Sequence, residues 1–291
     1  MAVSTHTVSL VSAGVHDALD AKLPPVRLTP RAQVTAAIGE LFSGASRALA
    51  QGRSLPVTTA LELNGLAQLL VRDIARGIHS PLAPHNPVKG DGCMVKHALS
   101  VTMLGLSLGI RVFRRYGWTD RLGHRRYDGF FYPLTQLGLG LLVHDIGKLA
   151  VPVHILQKPE SLTPNEWHAM KAHPTLGAGM LREIDGISPL AIAVVESHHE
   201  RWDGSGYPYG QTAQTIHQFA RIAAVADVFD ALTSDRNYRR ALTVHDACDY
   251  IISRSGMDFD PQVIDVFRTC IVPRAEARFE AGLAAPVSLQ N

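Results

Sequence analysis

Cysteine is scarce in this chain: Cys93, Cys248 and Cys270 lie far apart and none forms a CxxC pair. An odd, sparse set argues against a disulfide framework and suits a reducing compartment, so a cytoplasmic location is expected. Charge is thin as well. Charged residues are 19% of the chain and the net charge is +2, too small to predict a nucleic-acid or membrane surface by itself. A small anionic ligand would need only a local basic cluster. No apolar run approaches the roughly 18 residues needed to span a bilayer. The N-terminal stretch lacks a basic n-region and is broken by His16 and Asp17, so no signal peptide is expected. Period-2 strand patterns and internal repeats are missing too. What is present, 291 residues of which 46% are hydrophobic, is enough for a full globular core.

Helix punctuation recurs along the chain. Thr29-Pro30 reads as an N-cap followed by proline at the first helical position, leading a helix toward Ala50 that stops near Gly52. A second helix is predicted from Val57 to about Ile78. Thr163-Pro164-Asn165-Glu166 is a capping box that opens a helix ending near His173-Pro174. Ser188-Pro189 starts a helix that runs into Glu196-Ser197-His198, and Thr243 and Asp260-Pro261 start two more. The fold expected from these signals is all-α. A proline-rich polar stretch at 79–91 suggests a boundary. Residues 1–90 then form an N-terminal helical region, 91–273 the main domain and 274–291 a weakly held tail.

Two histidine doublets carry the chemical signal. His144-Asp145 ends the apolar run Leu139–Val143, and His198-His199 opens the segment HHERWDGSGYP. Burying an unpaired carboxylate costs several kcal/mol or more, so Asp145 needs a cation beside it. His97, His173 and Asp227 also lie on helix or helix-end segments among apolar residues. Asp230 shares a face with Asp227, at i,i+3. Asp227 alone also fits a cap or an ion pair with Arg221, and His97 alone fits a hydrogen-bonded core histidine. Taken together, five imidazoles and two carboxylates exceed the three or four protein ligands of one catalytic zinc. Mixed nitrogen and oxygen donors in that number suit two divalent ions, iron or manganese, with Asp145 bridging them. His6, His16, His79, His85, His124, His154, His168, His217 and His245 are expected to face solvent.

Anion-handling groups sit close by in sequence. Lys148 lies three residues past Asp145, so its ammonium should point to the edge of the metal cluster. Arg236 and Arg239, spaced i,i+3, are suited to grip a phosphate or a guanine edge, with a solvated surface cluster as the competing reading. Tyr207, in the turn Gly204–Pro208, offers a ring for base stacking or a hydroxyl for a phosphate.

The stretches HDIGK (144–148), KPESLT (158–163), AHPTLG (172–177), HHERWDGSGYP (198–208) and RIAAVADVFDALTSDRNYRR (221–240) resemble the HD-GYP family of bacterial metal-dependent phosphodiesterases, a subgroup of the HD superfamily. The likeness spans about 91–270 and leaves the first ninety residues uncovered. It implies a helical HD-type bundle, with the N-terminal helices as an extension, that hydrolyses cyclic di-GMP to pGpG, GMP or both. By position, the family's metal ligands fall on His97, His144, Asp145, His173, His198, His199 and Asp227. Lys148, Tyr207, Arg236 and Arg239 match positions associated with the dinucleotide. Members with a third metal carry a glutamate where this chain has Cys93, so two ions are expected. Gln211, Ala213 and His217 replace a leucine, a glycine and a proline of the family pattern, and Glu160 replaces a glycine. These changes touch the rim of the substrate loop more than the metal core.

The mechanism expected from this reading is in-line attack on phosphorus by a water or hydroxide held between the ions, with Asp145 and Lys148 as catalytic residues. Expected partners are the dinucleotide, a second copy of the chain as a homodimer, and signalling proteins such as GGDEF-domain proteins, with no DNA, RNA or membrane. The alternatives are a non-catalytic cyclic di-GMP sensor and a phosphodiesterase for another cyclic dinucleotide.

Overall fold

A computed structural model describes residues 31–56, 58–76, 92–235 and 240–273. Thr29-Pro30, the tail 274–291 and the arginines at 236 and 239 lie outside the described residues. Helix α1 (Arg31–Ala50) ends two residues before Gly52, whose φ of +63° takes the chain out of the helix. Helix α2 spans Thr58–Ala75, and α3 runs from Gly92 to Tyr116. A short antiparallel ribbon follows, β1 (Trp118–Thr119) on β2 (Arg125–Arg126), which the sequence pattern does not announce.

Helix α4 (Phe131–Leu142) is the axis of the molecule. Every residue from Pro133 to Leu142 is buried, because α2, α3 and α8 (Pro189–Ser197) all pack on it. That explains the near-continuous apolar run before His144: a helix covered on all sides has no polar face to display. Beyond it the chain makes a 3₁₀ turn (Ile146–Ala150), a short α5 (Val153–Leu156), α6 (Pro164–Lys171) and α7 (His173–Arg182). Helix α9 (Gln218–Thr233) is buried from Gln218 to Asp227 and packs on α3 and α8. Helices α10 (Val244–Ser253) and α11 (Pro261–Val266), with a π-type turn at Phe267–Ile271, close the domain. The fold is an all-α bundle, and α1 and α2 join the same apolar core as the rest.

The helix starts read from sequence carry the expected caps. Thr163 accepts from the Glu166 amide while Glu166 Oε2 accepts from the Thr163 amide at 2.7 Å, a complete capping box. Ser188, Thr243 and Asp260 each accept from an amide of their helix's first turn. His217 departs from expectation. It does not project freely into solvent: its Nδ1 accepts from the Phe219 amide at 3.2 Å and caps α9, and its Nε2 is buried. Burial, helped by Arg221, pushes its pKa down to about 4. Arg221 for its part pairs with Asp260, not with Asp227.

Gly147 sets how closely the 3₁₀ turn approaches α7. A Cβ there would overlap the His173 carbonyl and the Gly177 amide, which are backbone atoms with no room to yield. Gly147→Ala is therefore expected to destabilise the fold by about 1–3 kcal/mol, read as a lower denaturant midpoint. An unchanged midpoint would contradict the packing described. A second expectation concerns pH. His217 is neutral when folded but protonates near 6.5 when unfolded, so its contribution is complete above pH 6.5 and is lost as pH falls toward 4, by up to about 3 kcal/mol. His217→Asn keeps a capping side chain and should flatten the fall of urea stability between pH 7 and 4.5. Parallel curves for the two proteins would count against the assignment.

Candidate metal centre

Three helix ends and two helix interiors deliver the candidate ligands to one buried spot. His144 and Asp145 lie where α4 gives way to the 3₁₀ turn, and His173 opens α7. His198 caps the C-terminal end of α8, and His199 follows it. His97 sits within α3 and Asp227 within α9. All seven residues assigned from sequence converge. Asp145, His173, His198 and His199 place ligand atoms within 4.8 Å of one another, as do His97, His144 and Asp227.

Asp145 stands between the two groups. Its Oδ1 lies 3.3 Å from His173 Nε2 and 3.8 Å from His198 Nε2. Its Oδ2 lies 3.5 Å from His144 Nε2 and 3.6 Å from His97 Nε2. Oδ2 also receives the Lys148 ammonium at 2.6 Å, as the i,i+3 spacing predicts. Oδ1 is buried and accepts no hydrogen bond. Asp227 faces His97 Nε2 at 3.2 Å and His199 Nδ1 at 4.0 Å.

The backbone aims the imidazoles. His144, His173 and His198 each donate Nδ1–H to a carbonyl three residues back, of Leu141, Met170 and Val195, at 2.8 to 2.9 Å. That bond assigns the tautomer and leaves the Nε2 lone pair facing inward. Neutral imidazoles follow from burial, which lowers the pKa of His144, holds that of His198 well below the usual value and takes His199 down to about 3. The inward nitrogens of His173 and His198 approach to 3.4 Å, where two lone pairs repel and a cation between them removes the repulsion; His97 Nε2 comes within 3.2 Å of His144 Nε2.

The carboxylates have the opposite character. Burial works to protonate Asp145 and Asp227, but Lys148 and the imidazoles around Asp145, and His97 beside Asp227, hold both pKa values well below the usual range. His97 is the exception among the imidazoles. Burial opposes its charge, yet hydrogen bonds with Asp227 and Asp230 push its pKa up to about 10. A bound cation would displace that proton. The donor set therefore fits divalent metal: anionic oxygens, inward nitrogen lone pairs and an orphaned Oδ1 around a shared centre.

Two contributors were not assigned from sequence. Asp230 Oδ2 lies 2.7 Å from His97 Nδ1 and orients that ring, a role hinted at only by its i,i+3 spacing from Asp227. Glu200 is buried, and its carboxylate accepts from the Tyr209 and Gln211 amides at 2.7 and 3.0 Å. It thereby closes the loop that follows the second doublet. The sole sequence signal was its place after His199.

That loop folds back on the cluster. Tyr207 N donates to His199 O, and a Cβ on Gly206 would strike backbone of His199, Glu200 and Arg201, so the approach needs glycine there. The Tyr207 ring stacks on His199, with centroids 4.7 Å apart and planes 27° apart. Burial first, then the negative charge of Asp227 and Asp145, raises the pKa of its hydroxyl, so it stays protonated. Ala213 adopts a φ of 47°, left-handed backbone that glycine takes without strain.

Residues 134–263 match the HD domain family. Over 134 residues the chain is 45% identical to the cyclic di-GMP phosphodiesterase PA4108 of Pseudomonas aeruginosa, covering 46% of this chain and 32% of that protein. It is 44% identical over 124 residues to the cyclic di-GMP phosphodiesterase response regulator RpfG of Xanthomonas campestris, covering 42% of this chain and 33% of the relative. The chain thus spans about a third of the length of these curated relatives. Among solved structures, Bd1817, an HDG"Y"P protein from Bdellovibrio bacteriovorus, superposes with a TM-score of 0.58 at 18% identity, over 81% of this chain and 69% of that one. That likeness concerns the fold.

Asp230→Asn should weaken binding of manganese about 10–100-fold while helical circular dichroism is unchanged, because the His97 ring loses its anionic partner. Isothermal titration with manganese checks it, and parent affinity in the variant would remove Asp230 from the support of the site.

Proposed function

We propose that this protein, whose residues 134–263 match the HD domain family, is a metal-dependent phosphodiesterase that opens cyclic di-GMP to pGpG, GMP or both. The observation that carries the reading is Asp145: a buried, ionised carboxylate set between two groups of imidazoles, with one oxygen turned to each. His173, His198 and His199 would hold one ion, His97, His144 and Asp227 the other, with Asp145 shared by both. Divalent ions there, iron or manganese, would supply the charge that makes water acidic and neutralises a phosphodiester.

The chain's own residues do the rest. Asp145 stays ionised and positioned by Lys148. Lys148 is partly exposed, so its ammonium also reaches a non-bridging phosphate oxygen at the rim, where it offsets charge developing in the transition state. The imidazoles of His144, His198 and His199, kept neutral by burial, need no change of protonation during reaction. Tyr207, protonated and stacked on His199, contributes a ring or a hydroxyl to the substrate. Water adds to one phosphorus, the P–O3′ bond breaks, and one proton ends on the departing 3′-oxygen while the other passes to solvent. Arg236 and Arg239 complete the proposed substrate contacts.

The domain reading that accompanies this places the catalytic unit at 91–273, with 1–90 as a helical region and 274–291 as a tail. The packing of α2 on α4 supports a role for the N-terminal helices in bracing the site's central helix. A homodimer and GGDEF-domain partners belong to the same proposal. Among the described residues no helix is long and apolar enough to cross a membrane.

His144→Ala combined with Asp145→Ala should abolish manganese- or iron-dependent release of pGpG while the helical circular dichroism persists. Undiminished turnover rejects the assignment. Dinucleotide binding by the parent without any product would favour the sensor, and faster turnover of a competing cyclic dinucleotide would reassign the substrate.

A further inference from the structure

The cluster reaches one phosphodiester, whereas a cyclic dinucleotide brings two phosphates and two bases. Its other half needs a cation and a flat apolar surface outside the metal centre. Most lysines near the site are already engaged. Lys148 holds Asp145 at 2.6 Å, and Lys158 holds both oxygens of Glu166 at 2.6 and 2.9 Å. Lys171 differs. It is exposed, makes no ion pair with a carboxylate among the described residues, and sets its ammonium 5.4 Å from the centre of the Tyr207 ring. That ring is the one stacked on His199. Lys171 therefore stands at the outer edge of the centre with its charge uncommitted.

One turn earlier on α6, at i−4 and so on the same face, is Trp167. Its side chain is 48% exposed, a large apolar surface left in water. Helical side chains lean toward the N-terminus, which brings the Lys171 stem over the turn that carries Trp167. Helix α6 buries none of its residues, and is held instead by its capping box and by the Lys158–Glu166 pair. The Trp167–Lys171 face is thus free of core packing, and its Lys171 end meets the Tyr207 ring.

We propose that Trp167 and Lys171 form an outer subsite for the second nucleotide of the substrate: the indole stacks on its base and the ammonium pairs with its phosphate. The proposal rests on the reading of the cluster as a cyclic dinucleotide phosphodiesterase. The test compares cyclic di-GMP with bis(p-nitrophenyl) phosphate, a diester that has no second nucleotide, using the manganese-loaded full chain. In Trp167→Ala and in Lys171→Met, the kcat/KM ratio of cyclic di-GMP to the small diester should fall about tenfold, through KM and not kcat, and Lys171→Arg should restore it. An unshifted ratio overturns the subsite and leaves the enzyme reading standing. So does an equal fall on both substrates, which would make Lys171 a prop for Tyr207 and His199. A parent protein that cleaves neither diester refutes the enzyme reading and the subsite with it.

Discussion

Asp145 is the constraint on which the site depends. A carboxylate in this position would be expensive to bury alone, and its ionised form persists because Lys148 and the surrounding imidazoles offset the loss of water. The compensation is incomplete: Oδ1 keeps an unsatisfied acceptor that faces the nitrogens of His173 and His198. Nothing in the apolar surroundings can fill that role, because leucine and valine side chains donate no hydrogen bond. The geometry asks for positive charge, and divalent metal is the form that nitrogen and oxygen donors in this number accept.

Rigidity around this point comes from backbone more than from side chains. Carbonyls of Leu141, Met170 and Val195 turn three imidazoles inward, and each belongs to the helical turn that precedes its histidine. Helix α4, which ends two residues before His144, is buried along almost its whole length, so its terminus cannot shift without disturbing α2, α3 and α8 together. Gly147 then lets the 3₁₀ turn lie against α7, which fixes Asp145 relative to His173. Outside this inner layer, Asp230 and Glu200 act as braces, one on a ring and one on a loop.

The rim is built on looser terms. The loop after His199 is tied by Glu200 and laid across the cluster by Tyr207, yet it tolerates a left-handed alanine at 213 and a histidine cap at 217. The candidate ligand atoms lie outside these positions. The candidate metal ligands are therefore held by core helices and their ends, apart from the positions in the loop that carry these changes.

Much of this was legible from sequence because it is local. Helix starts follow from caps such as Thr163 with Glu166, where donor and acceptor lie three residues apart. The Lys148–Asp145 contact follows from helical spacing, and the doublets announce ligand chemistry by composition alone. What only the tertiary structure decided depends on partners distant in the chain. Asp230 orients His97 across 133 residues, Arg221 chooses Asp260 over Asp227, and His217 turns inward to cap a helix. The division of four imidazoles between the two oxygens of Asp145, His173 and His198 on one and His97 and His144 on the other, belongs to the same class. Sequence determines which groups are available and in which local conformation. Their distances and their protonation depend on how separate helices close on one another, since burial and charge at a point are properties of the whole packed core.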